Sequence, residues 1–537
     1  MLVSIFNDVI GPVMRGPSSS HCAAALRIGR LARDLMDGDI RDVLVEFDRH
    51  GSLPTTHESQ GSDMGLFGGL MGWDAADERL PDAPRILRES GVGVRIETVD
   101  VGDAHPNTYR LTLRGPSDER RTLVAISTGG GMIEVVGIDG FAVSLFGDCH
   151  ETLLTVTGDG PALVQRLATV MDADAIRLHE HGGRQLVQVS AAEFVSEAVV
   201  AELRGVAPDL RVARLAPVLP IASRKGTAVP FTTCEEMLVH DAGANTPLWR
   251  LAVRYEMARG DLTESDVMAR MVEIVRILRR SIQQGIAGTQ YADRVLGHQS
   301  GRFRQLEEAG RLLGGGGLNR VVLYVSALME VKSAMGVIVA APTAGACAAL
   351  PGAVIGMADE LGLSEEEMAR ALLASGLIGV FIAGRWTFAA EVGGCQAECG
   401  AAAAMAAAAL VTLAQGTLPQ AVAAASLALQ SMLGSICDPV ANRVEVPCLG
   451  KNVLAATNAL SCANMALADY DPVIPFDEVV ETARRVGDQL PRELRCTALG
   501  GLSITGTSRA IEARLAARAA AGGADPKDTE ATSGRRG

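Results

Sequence analysis

The sequence predicts a multi-domain protein: an α/β N-terminal domain, a small α+β domain and a large all-α C-terminal domain. Three observations lead there. The chain has 537 residues, room for several domains at about 100–200 residues each. Strand-like alternation is frequent up to about residue 216 and then gives way to helical periodicity. Hydrophobic residues make up 48% but aromatics only 4%, so the core is built from Ala, Val, Leu, Ile and Gly, whose small side chains let helices pack closely.

Residues 1–148 read as mixed α/β. HCAAALRIGRLARDLM (21–36) has helical periodicity, while DVLVEFDRHGSL and TYRLTLRG alternate as strands. A Gly/Ser-rich loop from Arg15 to Ser20 precedes the first helix, and a turn at Gly129–Gly131 follows the strand LVAIST. Residues 149–216 form a β-α-β-β-α-β pattern with a hairpin closing at Gly182–Gly183. Residues 217–235 are a connector. Residues 236–520 are expected to be helical, with Ser364 and Glu367 forming a capping box. Residues 521–537 are polar and Gly-rich, expected to be a disordered tail.

Composition argues against some partners. Net charge is −14, and no Lys/Arg-rich run stands out, which disfavours nucleic acid and anionic membranes. MLVSIFNDVIGPVMRG lacks a basic n-region, and Asp8 interrupts its apolar stretch, so it does not read as a secretory signal. Ten cysteines without such a signal fit a reducing cytoplasm, the expected location. Residues 335–358 carry no charge, long enough for a span of about 20 residues. Pro342, Gly345, Pro351 and Gly352 break that run, so a buried helix pair with a loop is expected.

The most informative thiols are Cys395 in EVGGCQAECG, Cys437 in GSICDPVANR and Cys448 in EVPCLGKN. Each lies in or beside a Gly- or Pro-bearing segment, where backbone N–H groups can reach a metal-bound sulfur. Three thiolates on a four-iron cluster leave one iron free as a Lewis acid. Free cysteine also packs inertly in Ala-rich cores, and on spacing alone both readings stay open.

Further segments carry a resemblance. APTAGACAALPG (341–352), GGCQAE (393–398), ICDPVANRVEVPC (436–448) and LRCTALGGLSITGT (494–507) resemble the α-part of iron–sulfur-dependent L-serine dehydratases. GPSSSHCAAALRIGRLAR (16–33), the HGSL…GSDMGLFGGLMGWDAADERL stretch (50–80), AHPNT (104–108) and STGGGMIEV (127–135) resemble that family's β-part. The 149–216 module resembles its ACT-like domain. The resemblance spans about residues 5–515 in the order of fused β and α parts. It implies a [4Fe–4S] cluster on Cys395, Cys437 and Cys448, and β-elimination from serine or a related β-substituted amino acid, giving a 2-oxo acid and ammonia. It also suggests a homodimer.

For the substrate, Ser18, Ser19 and Ser20 sit where a loop enters a helix, a place that favours anions. With the resemblance they are candidate carboxylate contacts, and His21, Ser52 and Asp63 candidate catalytic residues. Asn107, Thr343, Gly345 and Arg495 complete the substrate-binding candidates; an ordinary turn, a helix break or an exposed helix-end Arg is the bland reading of each.

Several segments depart from the family pattern. A Lys-Gly-His-Gly-Thr-Asp run is expected where Glu58-Ser59-Gln60-Gly61-Ser62-Asp63 stands. A Ser-x-Ser pair is replaced by Thr387-Phe388-Ala389, a Gly-rich loop by residues 292–301, and Cys496 stands at a usual Glu. These changes suggest a substrate other than serine, such as cysteine, threonine or a larger or more basic β-hydroxy amino acid. A catalytically silent amino-acid sensor is the alternative. Cys399 and Cys496 are candidate fourth ligands, with packing favoured.

Overall fold

The computed structural model describes residues 2–16, 18–19, 21–58, 60–291 and 293–520. Ser20 and the tail expected at 521–537 lie outside the described residues.

A six-stranded sheet runs in the order Gly93–Val99, Asp42–Asp48, Thr108–Arg114, Arg120–Gly129, Met132–Ile138 and Phe141–Leu145. Only the first pair is parallel, with Asp42 opposite Gly93. The helix Cys22–Leu35 covers this sheet and packs against Ser62–Leu70. The helix pair is held together by glycine. A Cβ on Gly65 would stand 2.2 Å from the Cys22 carbonyl oxygen, and one on Gly69 2.2 Å from that of Leu26. No other residue allows this backbone approach, which sets the loops before the two helices side by side.

The module between residues 149 and 216 is a four-stranded antiparallel sheet ordered Arg211–Leu215, His150–Val156, Arg184–Ala191, Ala173–His181. The helices Gly160–Val170 and Glu197–Val206 cover one face through Leu154, Val187, Leu163 and Val200. Leu153, Leu186, Ala213 and Leu215, on the other face, share a core with the six-stranded sheet.

Glu151 is buried in this module. Its carboxylate accepts from Ser190 Oγ at 2.9 Å, Cys149 Sγ at 3.3 Å and Gln188 Nε2 at 3.3 Å. Burial pushes its pKa from 4.5 up to about 7, against the pull of those donors. The folded chain therefore keeps a proton that the unfolded chain releases above about pH 4.5, and stability falls as pH rises from there to about 7. Glu151→Gln is expected to remove this slope and to stabilise the module at pH 8 by at most about 3 kcal/mol. Native-state hydrogen exchange of strands His150–Val156 and Arg184–Ala191 reads the effect; an unchanged pH slope in the variant would count against it.

From Cys234 onward the chain is mainly helical. The helix Ala401–Leu413 is the hub, packed against Ala349–Leu361, Glu365–Arg385, Leu418–Gln430 and Cys448–Leu467. Its run of alanines is fully buried, which lets the neighbours come close without aromatic filling. The Ser364–Glu367 capping box is present, with Glu367 Oε2 accepting from the Ser364 amide at 2.8 Å.

Two features differ from the expected segmentation. Residues 2–15 pack with the helices. A π-helical turn, Ile5–Val9, lies on Glu365–Arg385, the Ile5 amide donates to Glu256 at 2.9 Å, and Val13–Arg15 pairs antiparallel with Val337–Val339. The helical region thus contains a short strand. The uncharged run 335–358 is split into that strand, a loop and the helix Ala349–Leu361, because its prolines and glycines interrupt it. Helix Glu365–Arg385 and the stretch Gln396–Leu413 are long and apolar enough to cross a membrane, yet most of each is buried in the core.

Candidate functional site

The three cysteine segments meet in the helical region. Gly394 has φ +69, and a Cβ there would stand 2.7 Å from the Ser435 carbonyl oxygen. This glycine lets the chain turn from helix Ala390–Gly393 into Cys395 against the segment that carries Cys437. A π-helical turn, Gln396–Gly400, follows, a distortion frequent at functional sites. Gln396 clamps the two segments: its amide donates to Ser435 O at 3.2 Å, and its Oε1 accepts from the Gly434 amide at 2.9 Å.

Cys437 lies in a two-rung parallel ladder. Its amide donates to Leu494 O at 2.8 Å, and the Cys496 amide donates to Cys437 O at 2.9 Å. Cys448 opens the helix Cys448–Leu467. One turn later Asn452 Nδ2 donates to both Cys448 O and Gly345 O at 2.8 Å, while its Oδ1 accepts from the Ala348 and Ala349 amides. Asn452 therefore ties the third cysteine to the PTAG loop. Cys395, Cys437 and Cys448 are 2%, 4% and 5% exposed, so only groups inside the protein reach their sulfurs.

Burial pushes the Cys448 thiol up to about 12. Hydrogen bonding to Cys496 and burial raise Cys437, and hydrogen bonding to Cys395 with burial raises Cys399. Two cations act on these sulfurs. Lys332 is fully buried and donates to the carbonyls of Ala344, at 3.3 Å, and Val444. Lys451 Nζ donates to Asp438 Oδ1 at 2.7 Å and Ile436 O at 2.6 Å. Burial opposes its charge, yet the Cys395 sulfur and Asp438 raise its pKa.

Glu398 supplies the carboxyl of the site. It accepts from Thr343 Oγ1 at 2.7 Å, and a Cβ on Gly345 would stand 2.7 Å from each of its oxygens. Burial raises its pKa to about 7, where a carboxyl serves both as acid and as base. Its charge is felt at Cys347, Cys437 and Cys448. Arg495 reaches Val392 O with Nη1 at 3.4 Å, and its buried Nε has no partner. Thr343, Gly345 and Arg495 thus join the cysteines at one place.

Ser18, His21, Ser52, Asp63 and Asn107 form a second group. His21 Nδ1 pairs with Ser18 Oγ at 2.8 Å, and its Nε2 pairs with Thr56 Oγ1 at 3.0 Å. Burial pulls its pKa down to about 4, so the ring is neutral at neutral pH. Ser52 donates to Asn107 Oδ1, and its amide donates to Pro106 O at 2.9 Å. Ser19 is buried beside them, its carbonyl accepting from the Ala24 amide at 3.1 Å. Asp63 pairs with His57 Nδ1 at 2.7 Å, and this hydrogen bond raises the histidine's pKa.

Among the described residues no hydrogen bond or ion pair joins the two groups directly, but their surroundings meet. Glu58 and Glu445 both act electrostatically on the half-buried Tyr291 hydroxyl. Glu445 accepts from the Val295 and Leu296 amides at 2.9 and 2.7 Å, and Arg443 pairs with Asp293 at 2.7 Å. Glu445 and Arg443 thus tie the altered segment at residues 293–296 to the stretch leading to Cys448.

Glu398, Lys332, Lys451 and Asn452 are functional residues that the sequence alone does not single out. Glu398 stood inside the quoted GGCQAE motif. Glu330 and Lys332 were visible as two charges in an otherwise apolar helical run, a pattern that marks buried charge.

The match with known proteins runs over both halves. The family model "Serine dehydratase alpha chain" matches residues 243–503. The probable L-serine dehydratase alpha chain of Bacillus subtilis is 36% identical over 263 residues, covering 49% of this chain and 88% of the relative. The chain belongs to the L-serine dehydratase family. A probable beta chain from the same organism is 33% identical over 222 residues, which is 40% of this chain and 98% of the relative. The L-serine dehydratase of Streptomyces coelicolor is 27% identical over 522 residues, 94% of this chain and 99% of that one. This family member is thus similar to alpha and beta chains that are separate in Bacillus, and to a relative that spans nearly its whole length.

Proposed function

We propose that this protein is an L-serine dehydratase that eliminates across Cα–Cβ of L-serine or a close β-substituted amino acid, giving a 2-oxo acid and ammonia. The observation that carries this reading is the convergence of Cys395, Cys437 and Cys448 with Glu398, Thr343 and Arg495 in a chain of this family.

The thiols are the proposed ligands of a [4Fe–4S] cluster. Three buried cysteines arrive from three irregular segments, beside two lysines and an arginine with an unpartnered Nε. Such a set suits a group that carries net negative charge once its thiolates are bound. Among the described residues no His/Cys/Asp/Glu group is arranged for a single metal ion, and a cluster, being larger, needs its sulfurs further apart. When bound, the cluster supplies an iron with an open position, a Lewis acid for the leaving β-oxygen.

The chain's own residues do the rest. Arg495 Nε is the donor free to take the substrate carboxylate. Glu398, held by Thr343 and pressed against Gly345, is placed to take the α-proton and carries a pKa near neutrality for doing so. The buried setting limits water, so the released enamine tautomerises and hydrolyses to the 2-oxo acid after it leaves. The altered segments at Glu58 and at residues 293–296 are the proposed place where the substrate side chain is selected. The 149–216 module, with its split β-α-β order, is proposed to be an ACT-like regulatory unit.

Holoenzyme prepared without oxygen tests the reading on a panel of serine, threonine and cysteine. One 2-oxo acid and one ammonia per turnover are expected from at least one of them. An iron-replete protein that releases neither product from any member would favour the silent sensor instead.

A further inference from the structure

Along the seam between the six-stranded sheet and the 149–216 module lies a cavity of about 210 Å³ that opens to solvent. Four arginines line it: Arg120 and Arg121 from the start of one sheet strand, Arg184 and Arg211 from the starts of two module strands. One acidic residue, Asp139, lines it with them, so the wall carries a net charge of +3 (four minus one) in a chain whose total is −14.

Only part of this charge is neutralised within the cavity wall. Asp139 is fully engaged: Oδ2 accepts from Arg121 Nε at 2.6 Å and Oδ1 from the Thr122 amide at 2.8 Å. Arg184 Nη2 donates to the Asp139 backbone carbonyl at 3.3 Å, and its guanidinium lies 5.5 Å from the centre of the Phe141 ring. That leaves Arg120 and Arg211, whose side chains make no hydrogen bond or ion pair among the described residues, although Arg211 acts electrostatically on the exposed Asp209. The register sets Arg211 beside Thr155, which also lines the cavity.

We propose that this cavity binds a small, doubly charged oxyanion, of the phosphate or dicarboxylate class, that bridges the module to the six-stranded sheet. Guanidinium groups present paired N–H donors matched to phosphate and carboxylate oxygens. The volume is below the usual range for larger ligands, roughly 300–1,000 Å³, which selects a compact anion. A zwitterionic amino acid brings an ammonium into a wall of net positive charge, so the site is distinct in chemistry from the substrate site. The ligand's contacts come from both partners, so binding tightens the seam.

The test is calorimetry and thermal unfolding of the full chain with sodium phosphate and, separately, sodium malonate, against sodium chloride at matched ionic strength. Wild type is expected to gain about 5 °C in Tm at saturating anion and to bind with a measurable Kd. The double variant Arg120→Ala/Arg211→Ala, which removes two guanidiniums without hydrogen-bond partners, is expected to bind at least tenfold more weakly with its Tm in chloride unchanged. Preference for phosphate or malonate then names the class. No stabilisation beyond chloride by either anion, or an equal response in the double variant, would overturn the proposal. Neither readout depends on turnover, so failure here leaves the dehydratase reading standing.

Discussion

Cys437→Ala, purified without oxygen, is expected to hold less than half an iron per chain, where the wild type holds about four. Turnover should fall by at least about 100-fold, more than the loss of an outer-shell partner brings. The reason is local. Cys437 sits in a ladder whose other strand carries Cys496, a thiol that is only partly buried. Its backbone bonds to Leu494 and Cys496 do not involve the side chain, so the variant should keep the fold while losing the sulfur. Cys462→Ala is the control. That thiol is also buried, on the same helix as Cys448, but its partners are Asn458 Oδ1 at 3.5 Å and Ser431, and its removal should leave iron unchanged. Retention of iron in Cys437→Ala would remove Cys437 from the ligand set.

Glu398→Gln is expected to keep its iron and to lose about 10²–10⁴-fold in kcat, the range for removing a proton-transfer group. Glutamine preserves the shape, and its amide oxygen still accepts from Thr343 Oγ1, so Gly345 and the PTAG loop have no reason to move. What is lost is the ability to hold a proton. Exchange of the substrate α-hydrogen with deuterated solvent should disappear together with turnover. A variant within about threefold of wild-type kcat would show that the α-proton leaves by another route.

Local sequence carried part of this account well. The Ser364–Glu367 box and the two-residue turn at Gly182–Gly183 are short-range signals, and both features appear where the pattern puts them. The cysteine segments were found through several motifs together, since the spacing of Cys395, Cys437 and Cys448 alone also fits inert packing. The destination of residues 2–15 was not legible. An apolar stretch shows that it will be buried but not in which core, and its partners Glu256, Ile221 and Val339 lie over 200 residues away. Glu398 and Lys332 were hidden for a similar reason: their chemistry comes from burial created by distant segments. The arginine-lined cavity has the same origin, its four guanidiniums being spread from residue 120 to residue 211.

Mössbauer spectroscopy of the ⁵⁷Fe-reconstituted protein tests the central claim most directly. Three thiolate-held irons and one open iron predict two iron environments in a ratio of about 3:1, with the minor one shifting when substrate is added. Four equivalent irons that substrate leaves unchanged, or a protein that takes up no iron, would contradict it.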